Sequence, residues 1–278
     1  MSAFPVRRLL VDLQTPLPRH WNGGDAFRTA LFNALSMSFP AGEQFFIDSV
    51  RSGLATLPAE QRARFDAEAR GFIGQEATHR RIHALFNEHL ARQGLVNRWE
   101  PRILRRVAAL AGKDPRAALA VTAATEHFTA ILATYLLGNE TPLAGAEPRL
   151  QTLWRWHASE ESEHRSTAFD VYRALGGNER WRLRLFRVVT WYFVTDLLRQ
   201  TLHNLWRDGS WWRWSTWRSA ARMLFGRKGL LPALAGPWRD YLRADFHPEQ
   251  HSDALSRQWL QDHADAWALV SRPAAPAS

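Results

Sequence analysis

Apolar residues recur at every third or fourth position through long stretches free of glycine and proline, and strand-like alternation is scarce. The pattern predicts an almost wholly helical protein punctuated at its Gly and Pro positions. Gly23-Gly24, with Asp25 as N-cap, opens a helix over 26–38, and Pro40 fits the first turn of a second piece over 41–57. Pro58 opens a long helix reaching Arg92 and closed by Gly94; Pro101 starts a shorter one. Asp114-Pro115 caps a helix over 116–137, stopped by Gly138, and a helix over 147–175 ends at Gly176-Gly177. Segments 181–206 and 211–225 follow, split by Asp208-Gly209-Ser210, and then a shorter segment over 230–246 and a last helix over 252–269. The expected organisation is an arm (1–24), a helical bundle (25–178), an extension (179–270) packed on that bundle as part of the same domain, and a disordered Pro/Ala tail (271–278).

Acids and histidines interrupt the apolar stripes of four of these helices. His157, Glu161 and His164 stand at i, i+4 and i+7, one stripe at successive turns. Glu76, His79 and His83 form a second stripe, Glu43 lies beside Phe45 and Phe46, and Glu126 is the only acid in the apolar run 117–137. Polar groups on such faces are costly unless hydrogen-bonded or coordinated. Either Glu-x-x-His pair alone is weak evidence, because chance supplies that spacing readily. Together the order is Glu; Glu-x-x-His; Glu; Glu-x-x-His, the ligand set of ferritin-like bundles that hold two metal ions. The fold expected is therefore all-α, a ferritin-like four-helix bundle with a dinuclear centre and additional C-terminal helices. The ligands expected are Glu43, Glu76, His79, Glu126, Glu161 and His164, with His157, one turn before Glu161, as a seventh. His83 divides between ligand and core, and Glu160 competes with Glu161 because it lies four before His164. His127 and Glu163 point about 100° away from their ligand neighbours, toward second partners or the surface.

Composition narrows the chemistry. Cysteine is absent, so disulfides, thiolate metal sites and cysteine nucleophiles are excluded. Carboxylate and imidazole suit iron, or a manganese–iron pair, and no organic cofactor is evident. The net charge of +9 is local: residues 180–228 hold 11 of the 36 basic residues and, among acids, only Asp196 and Asp208. Seven of the 14 tryptophans lie there too. The segment is either an extra layer over the bundle or a peripheral membrane contact. No nucleic-acid motif accompanies the charge, so nucleic acid is not expected as a partner. Without a signal-peptide core before Asp25, the expected location is the cytoplasm, with contact at the inner face of the membrane as the alternative.

Several pieces carry a family likeness: Phe39-Pro40-Ala41-Gly42-Glu43, Gln75-Glu76-Ala77-Thr78-His79, Glu126-His127, Trp156 through His164, and Asp245-Phe246-His247-Pro248. On these the chain resembles the bacterial family labelled predicted metal-dependent hydrolases. The order Glu43; Glu76, His79; Glu126; His157, Glu161, His164 is also similar to that of the di-iron arylamine N-oxygenases, in ligand pattern only. The first expectation is an oxygen-activating di-iron enzyme acting on a small apolar or lipid-like substrate and drawing on an electron donor. A dinuclear hydrolase is the second, and a metal-binding protein without a substrate the third. A homodimer fits any of them.

Overall fold

Pro40 does not start a second helix. In the computed structural model, which describes residues 4–270, helix α1 (Ala26–Thr56) runs unbroken through it. Proline has no N–H to give to the carbonyl four residues back. That carbonyl, Ser36 O, accepts a 2.9 Å hydrogen bond from Asn87 Nδ2 of helix α2 (Ala59–Arg92). The neighbouring helix supplies the missing donor, so the expected break between 38 and 41 is absent.

Eight further helices follow among the described residues: α3 (Glu100–Leu110), α4 (Pro115–Leu137), α5 (Pro148–Glu163), α6 (Thr167–Ala174), α7 (Glu179–Asp208), α8 (Trp214–Phe225), α9 (Leu230–Asp240) and α10 (Ala254–Asp262). Asp25, Asp114 and Asn178 cap α1, α4 and α7 by accepting from backbone N–H groups of their first turns. Gly209 closes α7 at φ 71°, a left-handed backbone that glycine adopts without strain.

Three expected stretches are not continuous helix. The one predicted over 147–175 is divided at His164–Ser166 into α5 and α6. Arg165 stabilises the break by donating to the carbonyls of Pro248 (3.0 Å) and His251 (2.6 Å), outside the helix. In the segment over 230–246 the helix stops at Asp240, and Tyr241 and Phe246 turn into the core beside Phe186. The last, predicted over 252–269, stops at Asp262, and Trp267–Leu269 form strand β2. It pairs antiparallel with strand β1 (Arg7–Leu9), Arg7 opposite Leu269 and Leu9 opposite Trp267. The tail expected to be disordered, 271–278, lies outside the described residues.

Helix α1 packs on α2, α4 and α7, and α4 packs in turn on α5, α6, α7 and α9. Two apolar clusters result. One gathers Val50, Phe72, Leu119, Phe169, Tyr172 and Phe186, and the other Phe32, Phe86, Leu90, Leu150, Leu153 and Trp156. Among the described residues α4 alone is long and apolar enough to cross a membrane, and 67% of its most apolar window is buried inside the protein. Between the clusters, at mid-helix on α1, α2 and α4 and at the end of α5, lies a block of buried acids and histidines.

Candidate metal centre

Glu76, His79, Glu161 and His164 come together with ligand atoms within 4.8 Å of one another, and so, separately, do Glu43, His83 and His157. All seven side chains are buried. Glu161 joins the groups: its Oε1 lies 2.8 Å from His157 Nε2, 3.3 Å from His79 Nδ1 and 4.0 Å from His164 Nε2. Glu126 stands beside His164, with Oε2 3.0 Å from Nδ1. The break after α5 places the His164 ring between α4 and α2, its other nitrogen 3.3 Å from Glu76 Oε1.

Hydrogen-bond partners assign one nitrogen of each ring and leave the other facing inward. His79 Nε2–H donates to Glu160 (2.9 Å), leaving Nδ1 without a partner. His164 Nδ1–H donates to Glu126, leaving Nε2 without one. For His157 the assignment travels from the proline. Asn87, oriented by its bond to Ser36 O, presents Oδ1 to the Ser36 hydroxyl at 2.8 Å. The hydroxyl oxygen then accepts from His83 Nδ1–H at 2.9 Å. His83 Nε2 stands 2.6 Å from His157 Nδ1, and His157 Nε2 lies 2.8 Å from Glu161 Oε1 and 3.9 Å from Glu43 Oε1. His83 stands behind His157.

Both oxygens of Glu43, both of Glu76 and one each of Glu126 and Glu161 are buried without a hydrogen-bond partner. Buried orphan carboxylate oxygens in this number require cations or protons. Burial, reinforced by repulsion among the acids, pushes Glu43 and Glu76 well above the usual carboxylate range. Burial also raises Glu126, to about 7 against the pull of His164. Burial opposes a charge on His79, but Glu160 and Glu161 raise it to about 10. Burial and the neighbouring His79 charge lower His157 to about 4. Without a metal the centre can keep its charge balance only by holding protons; four ionised glutamates match two divalent cations, and the oxygen and nitrogen donors fit hard or borderline ions.

The alternative residues divide. Glu160 lies behind His79, and its Oε1 accepts from Arg7 at 3.0 Å. His127 lies away from the cluster, donating from Nε2 to Pro237 O (3.0 Å) and packing on Tyr241 and Phe246. The sequence reading missed Arg7, which also clamps Glu163 through two bonds of 2.7 and 2.9 Å, and missed Ser36 and Asn87. Asn87 had a signal, standing four residues after His83 on the same stripe. Arg7 had none, since strand pairing and not spacing brings it there.

A cavity of about 60 Å3 opens beside His157 and Glu161, lined by Phe32, Leu35, Phe39, Ala133, Phe193 and Leu197 among others. A second, of about 140 Å3, reaches Gly42 next to Glu43 and shares Phe39, Thr129 and Phe193 with the first. Residues 5–252 of the chain match the family described as predicted metal-dependent hydrolase. No curated protein and no solved structure is detectably similar to it.

Proposed function

This chain belongs to the family of predicted metal-dependent hydrolases, and we propose that it cleaves its substrate with water at a dinuclear metal centre held by α1, α2, α4 and α5. The reading is carried by the six buried carboxylate oxygens that have no hydrogen-bond partner among the described residues. Read as a ferritin-like arrangement, the four helices contribute Glu43; Glu76 and His79; Glu126; and Glu161 and His164, with His157 added. Glu76, His79 Nδ1 and His164 Nε2 would hold one ion, with Glu126 beside them on His164 Nδ1, and Glu43 and His157 Nε2 would hold the other, with Glu161 between them.

Two such ions supply Lewis acidity to a substrate oxygen and acidify a water at neutral pH. The chain supplies the rest. Arg7 and Glu160 fix the His79 ring, and Ser36 and Asn87 fix those of His83 and His157. Phe39 packs against the rings of His83 and His157, at 4.5 and 4.7 Å, and keeps bulk water off that side.

A second reading, oxidation at an iron pair with dioxygen and an electron donor, is favoured by the apolar cavity beside His157 and Glu161. One experiment separates the two. Purified protein, stripped and reconstituted with zinc, manganese or iron to about two ions per chain, is assayed against ester and phosphoester panels with and without dioxygen. Turnover by zinc or manganese protein without dioxygen is the expected result, whereas turnover confined to iron with dioxygen would replace hydrolysis by oxidation.

A further inference from the structure

The first apolar cavity runs from His157 and Glu161 outward to Tyr135 and Met223. Those two residues also line a cleft of about 640 Å3 between the start of α1 and helix α8, of opposite character. Arg213, Arg218, Arg222, Arg227 and Lys228 line it, and none of the five pairs with a carboxylate among the described residues. Its one acid, Asp25, is engaged by Arg28 at 3.4 Å and by the Ser219 hydroxyl at 2.5 Å. The loop bearing Arg227 and Lys228 is fixed to the cavity rim, because the Tyr135 hydroxyl (3.2 Å) and Asn139 Nδ2 (3.1 Å) donate to Lys228 O.

Five unpaired cations around one cleft repel one another, and an anion relieves that repulsion. The apolar cavity, divided from the cleft only by Tyr135 and Met223, takes chain and not headgroup. We propose that cleft and cavity are two halves of one site for a single-chain amphiphile with a phosphate headgroup, head among the arginines and chain running inward toward His157 and Glu161. The inference rests on the reading of the buried cluster as the reacting centre, and it requires an acyl ester or amide within the chain portion, where water cleaves the acyl bond to give a carboxylate and an alcohol or amine. The second cavity, separated by Phe39, Thr129 and Phe193, is the continuation available to a longer chain.

Calorimetric titration of the metal-loaded protein with monomeric alkyl phosphates tests this. Affinity is expected to rise by about fourfold per methylene until the cavity is full. Dodecyl phosphate should bind once per chain, about tenfold or more tighter than inorganic phosphate or dodecanol. Arg222→Ser with Arg227→Ser, both on the exposed surface, should weaken dodecyl phosphate about tenfold and leave dodecanol unchanged. Ala133→Phe, which fills the cavity, should abolish the dependence on chain length and keep inorganic phosphate binding. Dodecyl phosphate should also displace the protein from phosphatidylglycerol vesicles if it binds them. Affinity independent of chain length, an unaffected arginine variant, or vesicle binding that dodecyl phosphate does not compete with would each overturn the proposal. Saturable binding of dodecyl phosphate with no metal-dependent hydrolysis of an analogue carrying an ester in its chain would sink the hydrolase reading alone, and hydrolysis of that analogue without chain-length-dependent binding would sink this one alone.

Discussion

Glu160 and Glu161 take opposite faces of one imidazole: Glu161 Oε1 lies 3.3 Å from His79 Nδ1, and Glu160 Oε2 lies 2.9 Å from Nε2. Their replacements should therefore differ. Glu161→Ala removes the carboxylate shared by both groups, and bound metal measured by atomic emission should fall from about two ions per chain to about one or fewer. Glu160→Gln keeps the size of the side chain but weakens the orientation of His79, and metal affinity should fall about 10- to 100-fold with stoichiometry retained. Equal loss in both variants would put Glu160 among the ligands. His127, outside the cluster, gives a pH test. Burial lowers it to about 3 against an ordinary value of 6.5. Between those values the unfolded chain binds a proton that the folded protein refuses, so stability is full above about pH 6.5 and declines as pH falls toward 3. From pH 7 to 4.5 the wild type should lose roughly 2 kcal/mol more in urea denaturation than His127→Gln does.

At the scale of elements, the arm and α2 meet through glycine. A Cβ on Gly71 would lie 2.8 Å from Phe4 N and 2.9 Å from Phe4 O, and one on Gly74 would lie 2.3 Å from Val6 Cγ2. The gap lets residues 4–6 cross α2 and deliver Arg7 to Glu160 and Glu163. Gly71→Ala should push the arm away, cost about 1–3 kcal/mol in thermal or urea unfolding, and speed proteolysis before Leu13; an arm as protected as in the wild type would contradict this contact. The element boundaries also show what periodicity can and cannot reveal. Gly94, Gly176 and Gly209 stop helices in a left-handed backbone, and Gly138 caps α4 with an ordinary φ of −85°. Pro40 misled because its local cost is met by Asn87, 47 residues away. The break at His164–Ser166 was invisible because it carries neither glycine nor proline and rests on Arg165 reaching Pro248 and His251. The grouping of acids and histidines followed from helical spacing, but which ring nitrogen faces inward depends on Ser36, Asn87 and Arg7, partners that only tertiary packing supplies.

For the molecule as a whole, the centre is a block of charge held between two apolar clusters. Removing bound metal should leave Glu43, Glu76 and Glu126 to take up protons. Their folded pKa values are raised, so the stability they contribute to metal-free protein is present below about pH 4.5 and is lost as pH rises through the folded values, near 7 for Glu126. Metal affinity moves the other way, growing as ligands lose protons. The gap in melting temperature between metal-loaded and chelated protein should therefore widen from pH 6 to pH 8, and a constant gap would mean that chelation leaves the cluster untouched.

The ribbon of β1 and β2 joins residues 7–9 to residues 267–269, and Trp267 stacks under the Arg7 guanidinium at 4.9 Å. In chain order β1 precedes all the described helices, and its strand partner β2 follows only after them. The guanidinium that steadies Glu160, and through it His79, is thus set last. Until β2 pairs with β1, the helices can assemble around the cluster with its Arg7 side open, an interval for metal loading that closes when the ribbon forms.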